Sequence, residues 1–343
     1  MHEAKQIERI DPAAGIPGGE VTIECGNSSP GAEQTLTVWF QDQAAHVVAA
    51  TPNRALVLVP DLSLGAEIEV SVDPVGRPPG KPAHFVVAGK VADGIHQVAS
   101  PAFDPSDGSL FVTRSGTRGE DVPVSLLRIG SDGELKEFSS DITNPTCVAF
   151  DRSGRMFVTS RFDGTVFRVT PLKEVIAFAN DLGIATGLAF NREREMFVGD
   201  RSGAIYRLNE IGEAKPWAQM EPSVSAYHLA FGPDDALYVT GPTVSSFDSI
   251  TRIDEDGKSS VFFRGLGRPQ GLAFDVEGNL YVAASMRGRR GIVRISPDAA
   301  RAEIVVAGMN LVGLAFSAKG EMVVATNEAV YSLPLGIFGT LLD

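Results

Sequence analysis

The sequence predicts an all-β chain in two parts, a small β-sandwich followed by a six-bladed β-propeller. Three observations carry this. First, one phrase (a short apolar strand, a tight polar turn and a second apolar strand) recurs along the chain. Its clearest copy is Gly271-Leu272-Ala273-Phe274-Asp275-Val276-Glu277-Gly278-Asn279-Leu280-Tyr281-Val282, and six copies centre on Phe103, Phe150, Phe190, Phe231, Phe274 and Phe316. The intervals of 47, 40, 41, 43 and 42 residues mark a repeat architecture. Second, residues 1–90 lie outside the repeat and alternate apolar and polar positions with period two. Third, no segment holds a 3.6-residue period for three turns, which excludes a helical solenoid.

In the first part, Val21, Ile23 and Cys25 share a face, as do Leu36, Val38 and Phe40, and Ile68, Val70 and Val72. Gly/Pro/Asn/Ser clusters separate these runs, as expected of short strands in a sandwich. Residues 73–81 read as a hairpin loop, because Ala83-His84-Phe85-Val86-Val87 resumes the strand pattern. Asn27-Ser28-Ser29 matches a glycosylation sequon and otherwise reads as a plain surface loop. Residues 88–94 are too short to act as a free tether, so the two domains, 1–90 and 91–343, are expected to touch.

In the second part each unit follows one script. An inner strand such as Cys147-Val148-Ala149-Phe150 leads through a turn to a second strand, ending near Val112, Val158, Val198, Val239, Val282 or Val324. A third strand carries Arg128, Arg168, Arg207, Arg252 or Arg294, and a fourth carries Phe138, Phe178, Trp217, Phe262 or Val305. Four strands in each of six units build a propeller. Within the inner strand Leu272 and Phe274 point one way, Gly271 and Ala273 the other, so near the axis a large face meets a small one. The last unit lacks an outer strand, which residues 91–98 are expected to lend. The third-strand arginines are expected to brace neighbouring blades rather than to bind a ligand.

Two resemblances follow from these residues. Ile7, Ile10, Pro12, Gly15-Ile16-Pro17-Gly18-Gly19, Val21-Thr22-Ile23, Val57-Leu58-Val59-Pro60, Gly65 and Phe85 resemble an IPT/TIG domain, an immunoglobulin-like family whose members serve as spacers or contact modules. Over roughly residues 90–340 the repeats resemble NHL and gluconolactonase-like (senescence-marker-type) six-bladed propellers. The two together look like a bacterial arrangement.

Composition narrows the partners. With 43 acidic against 30 basic residues the formal charge is −13, which disfavours nucleic acid. No apolar run approaches the ~18 residues of a membrane-spanning helix. Cys25 and Cys147 fall in different domains, so no disulfide framework is expected. These features suit the cytoplasm, or an extracytoplasmic place if a leader peptide precedes the native chain.

Ligands of propellers bind at the central mouth, where the loops before the inner strands and those between strands two and three converge. The residue before each inner strand forms a column around the axis: Ser100, Thr146, Thr186, His228, Gln270 and Val312. The gluconolactonase resemblance implies Glu, Asn and Asp at this column, holding a divalent metal. The column here has no carboxylate and no Asn, so no metal residue is carried over. Where strand two reaches the same face stand Arg114, Arg161, Asp200, Arg201 and Asn327. Asp200 and His228 are the candidates for a general acid–base pair; alternatively Asp200 pairs with an arginine and His228 bonds a loop. Arg114, Arg161 and Arg201 suit an anionic ligand, because guanidinium forks match carboxylates and phosphates.

The loops at 114–123, 241–249 and 285–291 are expanded relative to Arg161-Phe162-Asp163-Gly164 and Arg201-Ser202-Gly203, and are the places for specificity. Met286-Arg287-Gly288-Arg289-Arg290-Gly291 is the one dense basic cluster, read as a solvated hairpin tip or a contact for an acidic partner. The expected function is non-enzymatic binding of a small molecule or protein at the loop face, using Thr146, Thr186, His228, Gln270, Arg114, Arg161, Arg201 and Asn327. No cofactor is expected. The alternative is a lactone or ester hydrolase with an atypical metal site, for which calcium is the metal to consider.

Overall fold

The computed structural model describes residues 6–26, 36–74, 81–96, 99–116, 122, 124–139, 141–245 and 247–340. The sequon at 27–29, the centre of the 73–81 loop, part of the 114–123 loop and Val98 lie outside the described residues. Every element among the described residues is a β-strand, and no helix is long and apolar enough to cross a membrane.

The N-terminal part packs two sheets face to face. One sheet orders Ile7–Asp11, Glu20–Cys25, Arg54–Leu58 and His46–Thr51; the other contains Ala83–Val87, Ala66–Pro74, Leu36–Phe40 and Gln43–Ala44. The period-two pattern is the cause. Val21, Ile23 and Val57 of the first sheet meet Val38, Val70 and Phe85 of the second in one core. Phe40 and Phe85 meet there edge to face, centroids 5.2 Å apart.

Six four-stranded antiparallel units follow, and their inner strands touch in ring order, the last returning to the first. The recurring phenylalanine has a specific task. The aromatic on each second strand (Phe111, Phe157, Phe197, Tyr238 and Tyr281) packs against the phrase phenylalanine of the next blade: Phe150, Phe190, Phe231, Phe274 and Phe316 respectively. Centroids lie 4.8 to 5.6 Å apart in these pairs, a geometry worth about 1 kcal/mol each beyond area burial. Where the ring closes, Phe103 packs in a cluster with the aliphatic Val323.

The strand closing the last blade is Gly89–Asp93, paired with Ala329–Leu333, rather than 91–98. It begins directly after the last sandwich strand, so the junction is itself part of the propeller. The third-strand arginines also differ from expectation. They tie their strand to an acid of their own blade: Arg128 to Asp107, Arg207 to Glu195, Arg252 to Asp234 and Arg294 to Glu303. The register places each beside its own hairpin, so the bracing is within blades.

The two domains are joined by main chain. Ala14–Gly15 pairs in parallel both with Ala83–Val87 of the sandwich and, through Gly15↔Ala307, with Ala302–Ala307 of the fifth blade. Ile16 N donates to Ala307 O at 2.9 Å, and Ala307 is buried in the sandwich core. Gly19 is required here, since a Cβ would stand 2.6 Å from Ala307 O.

The basic hairpin belongs to this joint. Residues 285–291 are not an expanded loop: Leu280–Met286 and Arg289–Ile295 stay paired out to Met286↔Arg289. Arg289 Nη1 reaches Asp11 Oδ2 at 2.7 Å and Nη2 reaches Asp11 O at 2.5 Å. The acidic partner of the cluster is the chain's own first strand. Arg289→Met is expected to lower full-chain stability by about 1.5 kcal/mol, as for a hydrogen bond to a charged group. Urea unfolding of Arg289→Met, Asp11→Ala and the double variant should show the two losses failing to add.

Candidate functional site

Thr146, Thr186, His228 and Val312 lie within their inner strands rather than before them, and the column is mostly occupied in holding blades together. Thr186 Oγ1 donates to Gly199 O at 3.1 Å and accepts from Tyr227 N at 3.0 Å. Gln270 Nε2 donates to Leu311 O at 3.3 Å, and Ser100 Oγ accepts from Leu314 N at 3.3 Å. Val312 is apolar and buried. Two polar atoms remain unused, Thr146 Oγ1 and His228 Nε2, both buried without a hydrogen-bond partner. Burial alone pushes the His228 imidazole down to about 4, so it is neutral at physiological pH.

A second belt escaped the sequence reading. Thr113, Thr159 and Thr240, each at the end of a second strand, donate their hydroxyls to the carbonyls of Thr146, Thr186 and Gln270 in the next blade, at 3.4, 2.8 and 2.5 Å. The signal was present as a threonine directly after Val112, Val158 and Val239. Its meaning depends on a carbonyl some 30 residues away.

Asp200 and His228 are not joined by a hydrogen bond. Asp200 is buried at the end of Met196–Asp200 and fully engaged locally. Its Oδ1 accepts from Ile184 N at 2.8 Å and Ser202 N at 3.1 Å, while Oδ2 accepts from Ser202 Oγ. Such a carboxylate fixes a turn, and it forms no ion pair with Arg201.

The rim of the same face carries the cations. Arg114, Arg161 and Arg201 follow the second strands of three consecutive blades. Arg114 Nη2 donates to Gly94 O at 2.9 Å, Arg161 Nη2 to Gly116 O at 3.0 Å, and Arg201 Nε to Ser223 O at 3.1 Å. No ion pair to any of the three exists among the described residues, and Arg114 Nε is buried without a partner. Desolvation, and then repulsion from Arg201, holds the Arg161 guanidinium below its usual range. Asn327, half-buried in the turn after Met322–Thr326, takes the corresponding place in the last blade.

Donor chemistry at the axis does not fit a divalent metal. A hard cation needs several oxygens with carboxylate among them; the column offers hydroxyls, an amide and an imidazole, most already bonded. No group of three or more His, Cys, Asp or Glu is placed to hold a metal ion among the described residues.

No family model matches the chain, and no curated protein matches it. Among solved structures it is similar to an auxiliary nutrient binding protein from Bacteroides ovatus ATCC 8483, at 15% identity and TM-score 0.54 over 99% of both chains. It is also similar to a gluconolactonase from Xanthomonas campestris, at 16% identity and TM-score 0.59, over 73% of this chain and 90% of that one. A third is a calcium-binding protein, regucalcin, from Agrobacterium tumefaciens str. C58, at 16% identity and TM-score 0.59, over 74% of this chain and 96% of that one. What the chain shares with these neighbours is the β-propeller fold. At such identities the likeness is one of fold.

Proposed function

We propose that this is a non-enzymatic binding protein that takes a small anionic molecule at the loop face of the propeller, between Arg114, Arg161 and Arg201. The observation that carries the reading is three arginines from consecutive blades whose hydrogen-bond partners among the described residues are backbone carbonyls. The charge of Arg201 already works against that of Arg161, and a bound carboxylate or phosphate relieves that repulsion through bidentate hydrogen bonds. The full-length likeness to a nutrient-binding protein supports a ligand-carrying role. We read the sandwich as an IPT/TIG-type support, fused to the fifth blade. The likeness to a gluconolactonase favours hydrolysis instead, but neither Asp200, spent on its turn, nor the unpartnered His228 forms an acid–base pair.

The test is calorimetric titration with gluconate, citrate and inorganic phosphate, alongside hydrolysis of glucono-δ-lactone. At least one anion is expected to bind and to raise the melting temperature. Arg161→Ala should weaken that binding about tenfold, the loss of some 1.4 kcal/mol, and lactone should decay no faster than in buffer. Lactone turnover abolished by His228→Ala, with no anion bound, would overturn the proposal.

A further inference from the structure

A second candidate site lies in a cleft between the third and fourth blades, and none of its lining residues is an arginine. Its cavity, about 370 Å³, is lined on the third blade's side by Gln219, Met220 and Glu221 and otherwise by the strands of the fourth blade and by Gly241, Thr243, Ser245 and Phe247 of the loop between its second and third strands. That volume falls in the range of small-molecule sites. The loop is one of those the sequence marks as expanded, and Gly241 stands where the three preceding blades carry Arg114, Arg161 and Arg201.

The cleft is built around one carboxylate. Asp248 opens the third strand of its blade and is only 3% exposed. Its Oδ1 is held by Thr243 N at 3.0 Å and Thr243 Oγ1 at 2.7 Å, and the same hydroxyl accepts from Ser245 N at 3.0 Å, which ties down the loop. Oδ2 is buried and has no hydrogen-bond partner among the described residues. A buried carboxylate oxygen left unpaired is costly, and the cost is recovered only by a donor, best a cationic one. Among the described residues lining the cavity are Asp248 and Glu221 but no Lys, Arg or His.

The rest of the lining describes the body of the missing partner. Tyr227, Val239 and Met220 give an apolar floor. At the rim Phe247 is 76% exposed and Val261 46% exposed, so both offer apolar surface to a ligand in the cleft. An exposed aromatic beside a carboxylate also suits a cation through its ring face. An anion is repelled here, and a hard metal ion finds too few convergent oxygens.

We propose that this cleft binds a small organic cation, a primary amine on an apolar stem, with the ammonium on Asp248 Oδ2 and the stem between Tyr227 and Phe247. Its ligand is opposite in charge to the one proposed for the arginine rim.

Phenethylamine and 2-phenylethanol, which share a stem and differ in charge, test this by calorimetry or ligand-observed NMR, with methyl α-glucoside as a neutral polyol. The amine is expected to bind at least tenfold more tightly than the alcohol. Asp248→Asn keeps an acceptor for Thr243 and should abolish that preference while leaving the alcohol unchanged. Val261→Arg, at an exposed position, sets a competing cation at the rim and should eliminate amine binding without disturbing the core. Equal binding of amine and alcohol, tighter binding of the glucoside, or a preference that survives both substitutions would overturn the assignment.

Discussion

Replacing Gly313 by alanine is expected to destabilise the propeller by about 3 kcal/mol, the upper part of the usual range for overpacking. Gly313 sits in the inner strand of the last blade, three residues before Phe316. A Cβ there would stand 2.4 Å from Ser100 Cα and 2.6 Å from Ser100 N. Both are main-chain atoms, so no side-chain rotation relieves the contact; the inner strands of the first and last blades must separate. The contact closes the ring, and separation also lengthens the Ser100 Oγ bond to Leu314 N. Gly271 faces the same constraint, with its Cβ 2.4 Å from Gly313 Cα. Gly288, at a hairpin tip with nothing within 4 Å of its Cβ but a positive φ of 82°, provides the contrast. Alanine there meets only backbone strain and should cost about 1 kcal/mol. Urea unfolding of the two variants measures the difference; a Gly313→Ala protein as stable as Gly288→Ala would contradict the close approach of the inner strands.

These glycines show why the architecture was legible in the sequence. Crowding at the axis demands a small residue at a fixed place before a large one, and that demand repeats about every 42 residues, so it leaves a period. What stayed hidden does not repeat. The parallel ladder joining the domains rests on Ala14–Gly15, two residues that carry no strand pattern, paired with Ala307 far along the chain. The 285–291 segment looked like an expanded loop because it is rich in Arg and Gly. Its strands continue because Ser259–Gly267 pairs with Leu280–Met286 and Arg289 finds Asp11, neither of which local composition reports.

The candidate site was legible to a lesser degree. The rim was located by register, since Arg114, Arg161 and Arg201 each directly follow a second strand; the column was not, because Ser100 and His228 stand one position closer to their repeat phenylalanine than Thr146, Thr186, Gln270 and Val312 do to theirs. Which of those side chains are free for a ligand was not legible. Thr186 and Gln270 are spent on neighbouring blades, and Asp200 is taken by the amides of Ser202, two residues on, and of Ile184, ahead of the inner strand of its blade. Asp248 was passed over because an isolated aspartate before a strand is ordinary; only the missing partner of its Oδ2 sets it apart.

Acidification is expected to weaken the fold through His228, by about 3 kcal/mol between pH 6.5 and 4. The imidazole is 4% exposed and burial holds it down to about 4, whereas in the unfolded chain it titrates near 6.5. Above pH 6.5 both states are neutral, and His228 contributes no pH dependence. Below that, the unfolded chain takes up a proton that the folded protein refuses, so stability falls as pH falls, at about 1.4 kcal/mol per unit, until the folded state also protonates. His228→Gln removes the titrating group while keeping a polar side chain at the start of the inner strand. Urea midpoints of both proteins from pH 7.5 to 4.5 separate this group from the carboxylates they share: the native curve should fall more steeply below pH 6.5, and the two should run parallel above it. Parallel curves throughout would mean that His228 accepts a proton in the folded state. That result would restore it as a proton-transfer candidate and weaken the case for a binding protein.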